Sequence, residues 1–142
     1  MNKKPHEKLV DVHGLEQEIE EMEEQIERLY ARASRVTTVI DGMPRAPGSV
    51  DPMAGTMARI DEAKRSLVAM TERHATAMAE HTRRVSVIRP IYGRLITLRY
   101  LEGHSWRAIA KKMGYSNSYI QSDLKPAALV AYDSVDISAQ KF

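Results

Sequence analysis

Residues 104–120 read HSWRAIAKKMGYSNSYI, two short amphipathic stretches pinched around a glycine. Ser105 and Ser116 each stand where a side-chain oxygen can accept from the exposed N–H groups of a helix start, predicting helices over 106–113 and 117–124. Gly114 falls where the turn between them needs a positive φ. Ala110 is small where the two helices must cross, and Ile120 anchors the second helix on the first. Ile109, Met113 and Leu124 complete a small core. Pro90 suits a first helical turn, where its missing N–H costs nothing. A helix over 90–101 with Ile91, Leu95, Leu98 and Leu101 on one side, flanked by Tyr92 and Ile96 and ended by Gly103, supplies the third wall. The spacing predicts a helix-turn-helix.

Upstream the pattern is different. Between about residues 7 and 36, Leu15, Ile19, Met22, Ile26, Leu29, Ala33 and Val36 recur at alternating steps of four and three, the stripe of a helix that needs a partner. Residues 37–53 break it with Pro44, Pro47 and Pro52, which bar a helix interior. The spacing returns over 54–88 along Met57, Ile60, Lys64, Leu67, Thr71 or Met70, His74, Met78, His81, Val85 and Ile88. The expected architecture is therefore all-α: a long antiparallel, coiled-coil-like hairpin over 7–88, linked through 37–53, then a three- to four-helix domain over 89–132. Pro126 predicts a kink or break near Leu124–Lys125, with a short last helix to about Tyr132. Residues 133–142 read as a flexible tail.

Composition narrows the class. The chain has 142 residues, 43% apolar and 28% charged, with no cysteine, which excludes disulfides and thiolate metal sites. No signal peptide and no run of about 18 apolar residues is present, so a cytoplasmic protein away from membranes is expected. Net charge is +2 but unevenly placed. Residues 1–36 carry six Lys/Arg against nine Asp/Glu, and residues 89–132 carry seven against two. A polyanion would be met by the C-terminal part.

LITLRYLEGHSWRAIAKKMGYSNSYIQSDLKPAAL, residues 95–129, resembles the fourth conserved region of bacterial sigma factors. It is more similar still to small phage and prophage regulators of Gram-positive bacteria, of the ArpU and RinA kind. The residues that carry the likeness are Leu98, Arg99, Tyr100, Leu101, Gly103, Ser105, Trp106, Ile109, Ala110, Gly114, Tyr115, Ser116, Ala128 and Leu129. Met43, Pro44, Arg45 and Asp51 match that family's connection between two long helices. The resemblance implies sequence-specific promoter binding and control of late phage genes, without catalysis.

On that reading double-stranded DNA is the partner and a homodimer the binding form. The second helix offers Ser116, Asn117, Ser118, Tyr119, Gln121, Ser122 and Lys125; Asn and Gln can read adenine, but no arginine is there to read guanine. Arg107, Lys111 and Lys112, with Arg94 and Arg99, would meet phosphates. Two alternatives stand beside it: a module that docks RNA polymerase or a sigma factor, and a small subunit of a DNA-packaging machine. His13, His74 and His81 are read as polar interruptions fixing helix register rather than metal ligands, and Trp106 as core. No catalytic set, metal site or cofactor is expected.

Overall fold

The computed structural model describes residues 3–40 and 52–138, and every regular element among them is helical. Two long helices come first, α1 (Pro5–Ile40) and α2 (Pro52–Val85). They reach further into the Pro-rich connection than the sequence suggested, since Pro52 occupies the first turn of α2, the place proline tolerates. Met43, Pro44, Arg45 and Asp51 lie outside the described residues. No helix among the described residues is long and apolar enough to cross a membrane.

The remaining helices are short: α3 (Pro90–Ile96), α4 (Trp106–Met113), α5 (Asn117–Tyr119) and α6 (Lys125–Asp133). α2 ends at Val85, three residues before the expected Ile88, and Arg89, held extended (φ −59°, ψ 137°) by the proline that follows it, leads into α3. One π-helical turn, Thr97–Leu101, continues α3, and another, Ile120–Leu124, joins α5 to α6.

The last helix opens at Lys125–Pro126 and ends near Tyr132 as expected, but no outright break precedes it: the second π turn interrupts the regular α ladder at Leu124–Lys125 instead. The backbone keeps right-handed helical angles at Ile120, Leu124 and Lys125. Within the wider turn the Lys125 N–H donates to the Ile120 carbonyl, five residues back. Pro126 then occupies the start of α6, and the shifted ladder relieves both its missing N–H and the crowding against the Ser122 carbonyl.

The chain divides into two compact units, and the division does not fall at residue 89. One unit joins Met1–Glu16 to His74–Phe142; the other is Gln17–Arg73. In the first, Leu9 and Val12 of α1 are buried in one cluster with Leu95, Ile96, Leu98, Ile109, Ala110, Ile120, Leu124, Ala128 and Tyr132. Ala77, Met78 and Val85 of α2 pack against it. The hydrophobic periodicity of α1 thus begins two turns earlier than Leu15, with its first residues serving the C-terminal core. Gly93 is buried where α3 meets α2, and a Cβ there would stand 3.2 Å from that of Val85.

In the second unit, residues 17–40 of α1 and 52–73 of α2 are neighbours, with Lys64 Nζ 5.0 Å from the centre of the Tyr30 ring. The α1 stripe lies as expected through Ala33, with Ile19, Met22, Ile26 and Leu29 half-buried and Ala33 buried, while the Val36 side chain lies outside the described residues. The α2 stripe follows the expected line at Ile60, Leu67 and Met70 and shifts by one residue at Met57 and Lys64. Thr56, Ile60, Ala63 and Met70 are buried and Leu67 half-buried, whereas Met57, Lys64 and Thr71 are exposed. Both lines share Ile60, Leu67 and Met70; the buried one admits the small Ala63 and excludes the charged Lys64.

Candidate nucleic-acid interface

The segment around Gly114 is fixed from below by its own backbone bonds. Ser105 Oγ accepts from Ala108 N–H and Ser116 Oγ from Tyr119 N–H, both at 3.1 Å. The N–H groups of Gly114 and Tyr115 both close on the Ala110 carbonyl, at 2.9 and 3.0 Å, with Gly114 at φ +77°. This is the helix-ending geometry that glycine adopts without steric cost. Beneath the turn Ile109 and Ile120 are fully buried and Ala110 nearly so, as their spacing predicted.

Above that core a polar surface is turned outward. Asn117, Ser118, Tyr119, Gln121, Ser122 and Asp123 are all exposed, as are Arg107, Lys111 and Lys112 on α4. Those three cations have no ion-pair or hydrogen-bond partner among the described residues. Ser116 is also exposed, but its hydroxyl is engaged as a helix cap. Ser122 Oγ donates to the Ser118 carbonyl at 2.8 Å, so without rotation it can meet a ligand only as an acceptor. Tyr115 and Tyr119 are about 40% exposed and pack ring against ring, centroids 5.2 Å apart.

Other sequence-predicted residues are already occupied. Trp106 is half-buried against the core with Arg99 and Lys125 each 4.9 Å from its ring, attractions between cation and π face. Arg99 also donates to the His104 carbonyl at 3.0 Å. Lys125 is half-buried and tethered, unlike Lys111 and Lys112, while Arg94 is exposed.

Sequence reasoning missed what braces the surface from behind. His81 is buried, its Nδ1 2.8 Å from the Tyr132 hydroxyl and its Nε2 3.0 Å from Thr97 Oγ1, at the start of the first π turn. Burial holds the imidazole below its ordinary pKa and pushes the Tyr132 phenol up. The neutral ring can therefore satisfy one partner as donor and the other as acceptor. Arg84, also buried, donates to the carbonyls of Tyr132 and Val135, each at 3.0 Å, and pairs with Glu80 at 3.2 Å.

At the other end of the chain, His6 N–H and Nδ1 meet the two oxygens of Asp133, at 3.0 and 2.7 Å. The beginning of the expected tail is thus tied to both α1 and α2. The stripe through His81 hinted at its burial, but Arg84 lay off that stripe, and nothing local announced partners so distant in sequence. His74 lies 3.7 Å from Glu16, and no cluster of three or more metal-ligating residues occurs among the described residues.

No protein-family model, curated protein or solved structure matches the chain.

Proposed function

We propose that this chain is a sequence-specific DNA-binding regulator of transcription, without catalytic activity. In this reading, residues 89–132 act as a sigma-region-4-like helix-turn-helix carried by a long antiparallel helical hairpin. It works as a homodimer in the cytoplasm on phage-type promoters. The observation that carries it is the pairing of an exposed amide- and hydroxyl-bearing helix (Asn117, Ser118, Gln121) with three cations on the helix before it, Arg107, Lys111 and Lys112, that have no partner among the described residues. Cations on the supporting helix meet backbone phosphates, while amides on the second helix reach base edges in the major groove. Asn117 and Gln121 favour adenine-containing sites. A dimer doubles this modest contact set across two half-sites about one helical turn apart.

Selection of bound duplexes from a random pool, followed by titration against salt, tests the proposal. Replacing Lys111 and Lys112 together with Ala is expected to weaken binding to all sequences and to lower the salt slope by roughly 1.8, two phosphates' worth. Asn117→Ala is expected instead to relax preference at one base position. Wild-type affinity and slope in the lysine variant would overturn the groove-docking arrangement.

The absence of arginine from the second helix, together with the exposed Tyr115–Tyr119 pair, favours one other reading: docking on RNA polymerase or a sigma factor. A mobility shift that appears only when polymerase is added would decide for it.

A further inference from the structure

The outer surface of α1 carries charge in an order that its own helix does not explain. Glu18, Glu21, Gln25, Arg28, Arg32 and Arg35 follow one another at steps of three and four, forming a single stripe, and all are exposed. Acids occupy its first half and arginines its second. From Leu9 to Glu27 there is no Lys or Arg, and from Arg28 to Ile40 no Asp or Glu.

Within the chain this order is unfavourable. Arg28 lies 4.0 Å from Glu24, but the positions three and four before Arg32 are Leu29 and Arg28, and those before Arg35 are Arg32 and Ala31. Like charges one turn apart repel. The helix dipole acts only within the terminal turns, so it gives no reason for acids at Glu18 and Glu21, more than three turns past Pro5. Glu18, Glu21, Arg32 and Arg35 have no ion-pair partner among the described residues. The opposite flank of α1 differs, for there Lys64 of α2 covers Tyr30.

Turned end for end, the stripe is its own complement. We infer that a second copy of this chain docks antiparallel along α1, with Glu18 facing the partner's Arg35 and Glu21 facing the partner's Arg32. The dyad falls between Ile26 and Glu27. Beside it lies a shallow groove of about 230 Å³ lined by Met22, Gln25, Arg59, Glu62, Ala63 and Ser66. Its small Ala63 and Ser66 leave room for a long partner side chain, and Gln25 faces the partner's Arg28. The contact spans roughly 26 Å of helix. It is polar and therefore weak and salt-sensitive, a few-fold in affinity per exposed pair.

Sedimentation of the full chain at low salt is expected to show a concentration-dependent dimer. Its dissociation constant should rise about tenfold or more between roughly 0.05 and 0.5 M salt. A variant carrying E18R and E21R, and another carrying R32E and R35E, should each be monomeric with unchanged helicity by circular dichroism. Mixed in equal amounts they should dimerise, because all four facing pairs at positions 18, 21, 32 and 35 are then opposite in charge. Since the chain has no cysteine, E21C mixed with R32C should form the mixed disulfide, while E21C alone should not cross-link. A monomeric wild type at about 100 µM in low salt, variants that dimerise alone, a mixture that does not, or E21C self-cross-linking would each overturn this arrangement. None of these outcomes bears on whether the C-terminal surface contacts DNA phosphates, which the Lys111 and Lys112 substitutions read separately.

Discussion

The two units of this chain use the same helical alphabet to different ends. The unit built from Met1–Glu16 and His74–Phe142 encloses side chains on all sides: Leu95, Ile96, Ile109, Ile120 and Ala128 have no exposed surface, and Tyr132 has 1%. In Gln17–Arg73 the buried set among the described side chains is a thin line, Ala33, Thr56, Ile60, Ala63 and Met70. Several crossing helices close a three-dimensional core, whereas two neighbouring helices share only a seam. The contrast teaches where precision resides. On the proposed DNA-binding reading, a surface that holds Asn117, Gln121 and Lys111 in fixed relation needs a closed core beneath it, whereas a charged stripe along one helix needs only that the helix persist.

The sharpest way to break that contrast is to hollow out the closed core. Ile109→Ala should cost about 2–5 kcal/mol in chemical denaturation, through lost burial and the cavity left behind. Hydrogen exchange should quicken over residues 90–132 more than over 17–35. Equal loss of protection in both units would show that they unfold as one. Next in size is Tyr132→Phe, which leaves one nitrogen of buried His81 without a partner. A cost of about 1–3 kcal/mol is expected.

Acidification probes the same group. The folded pKa of His81 lies below its unfolded value of 6.5, so the unfolded chain takes up the proton first. The stability associated with neutral His81 is full above pH 6.5 and lost as pH falls through the folded pKa. A His81→Gln variant should show a shallower decline over that window; an identical slope would place the acid sensitivity elsewhere. At the small end, Val68→Ala on the exposed side of α2, where Val68 is 57% exposed, should change stability by less than about 0.5 kcal/mol. A larger loss would reveal something covering that face.

Much of the local design was legible because its signals lie within a few consecutive residues. Ser105, Ser116 and Gly114 each announce a helix end through their own chemistry, and the caps and left-handed turn are found where they pointed. Pro126 was legible in part: it announced the interruption at Leu124–Lys125 and the short last helix, but not that a π turn, with Ile120 and Leu124 buried, would carry the chain through without a break. The exposure of Asn117, Ser118 and Gln121 could be read from the burial of Ile120 and Leu124 alone. The tethering of Arg99 and Lys125 on Trp106 could not.

What the residue order determined by itself is the helical character, the chain's charge asymmetry, the turn at Gly114 and the stripe on α1. Each follows from dihedral preference, periodicity or net charge within one or two turns. What only the tertiary structure decided is that Thr56 and Ala63 rather than Met57 and Lys64 turn inward on α2, that Leu9 and Val12 belong to the C-terminal core, and that His6 reaches Asp133 across 127 positions. Those choices rest on competition among partners far apart along the chain. A side chain's sequence neighbours set which way it can point, but packing determines what it meets there.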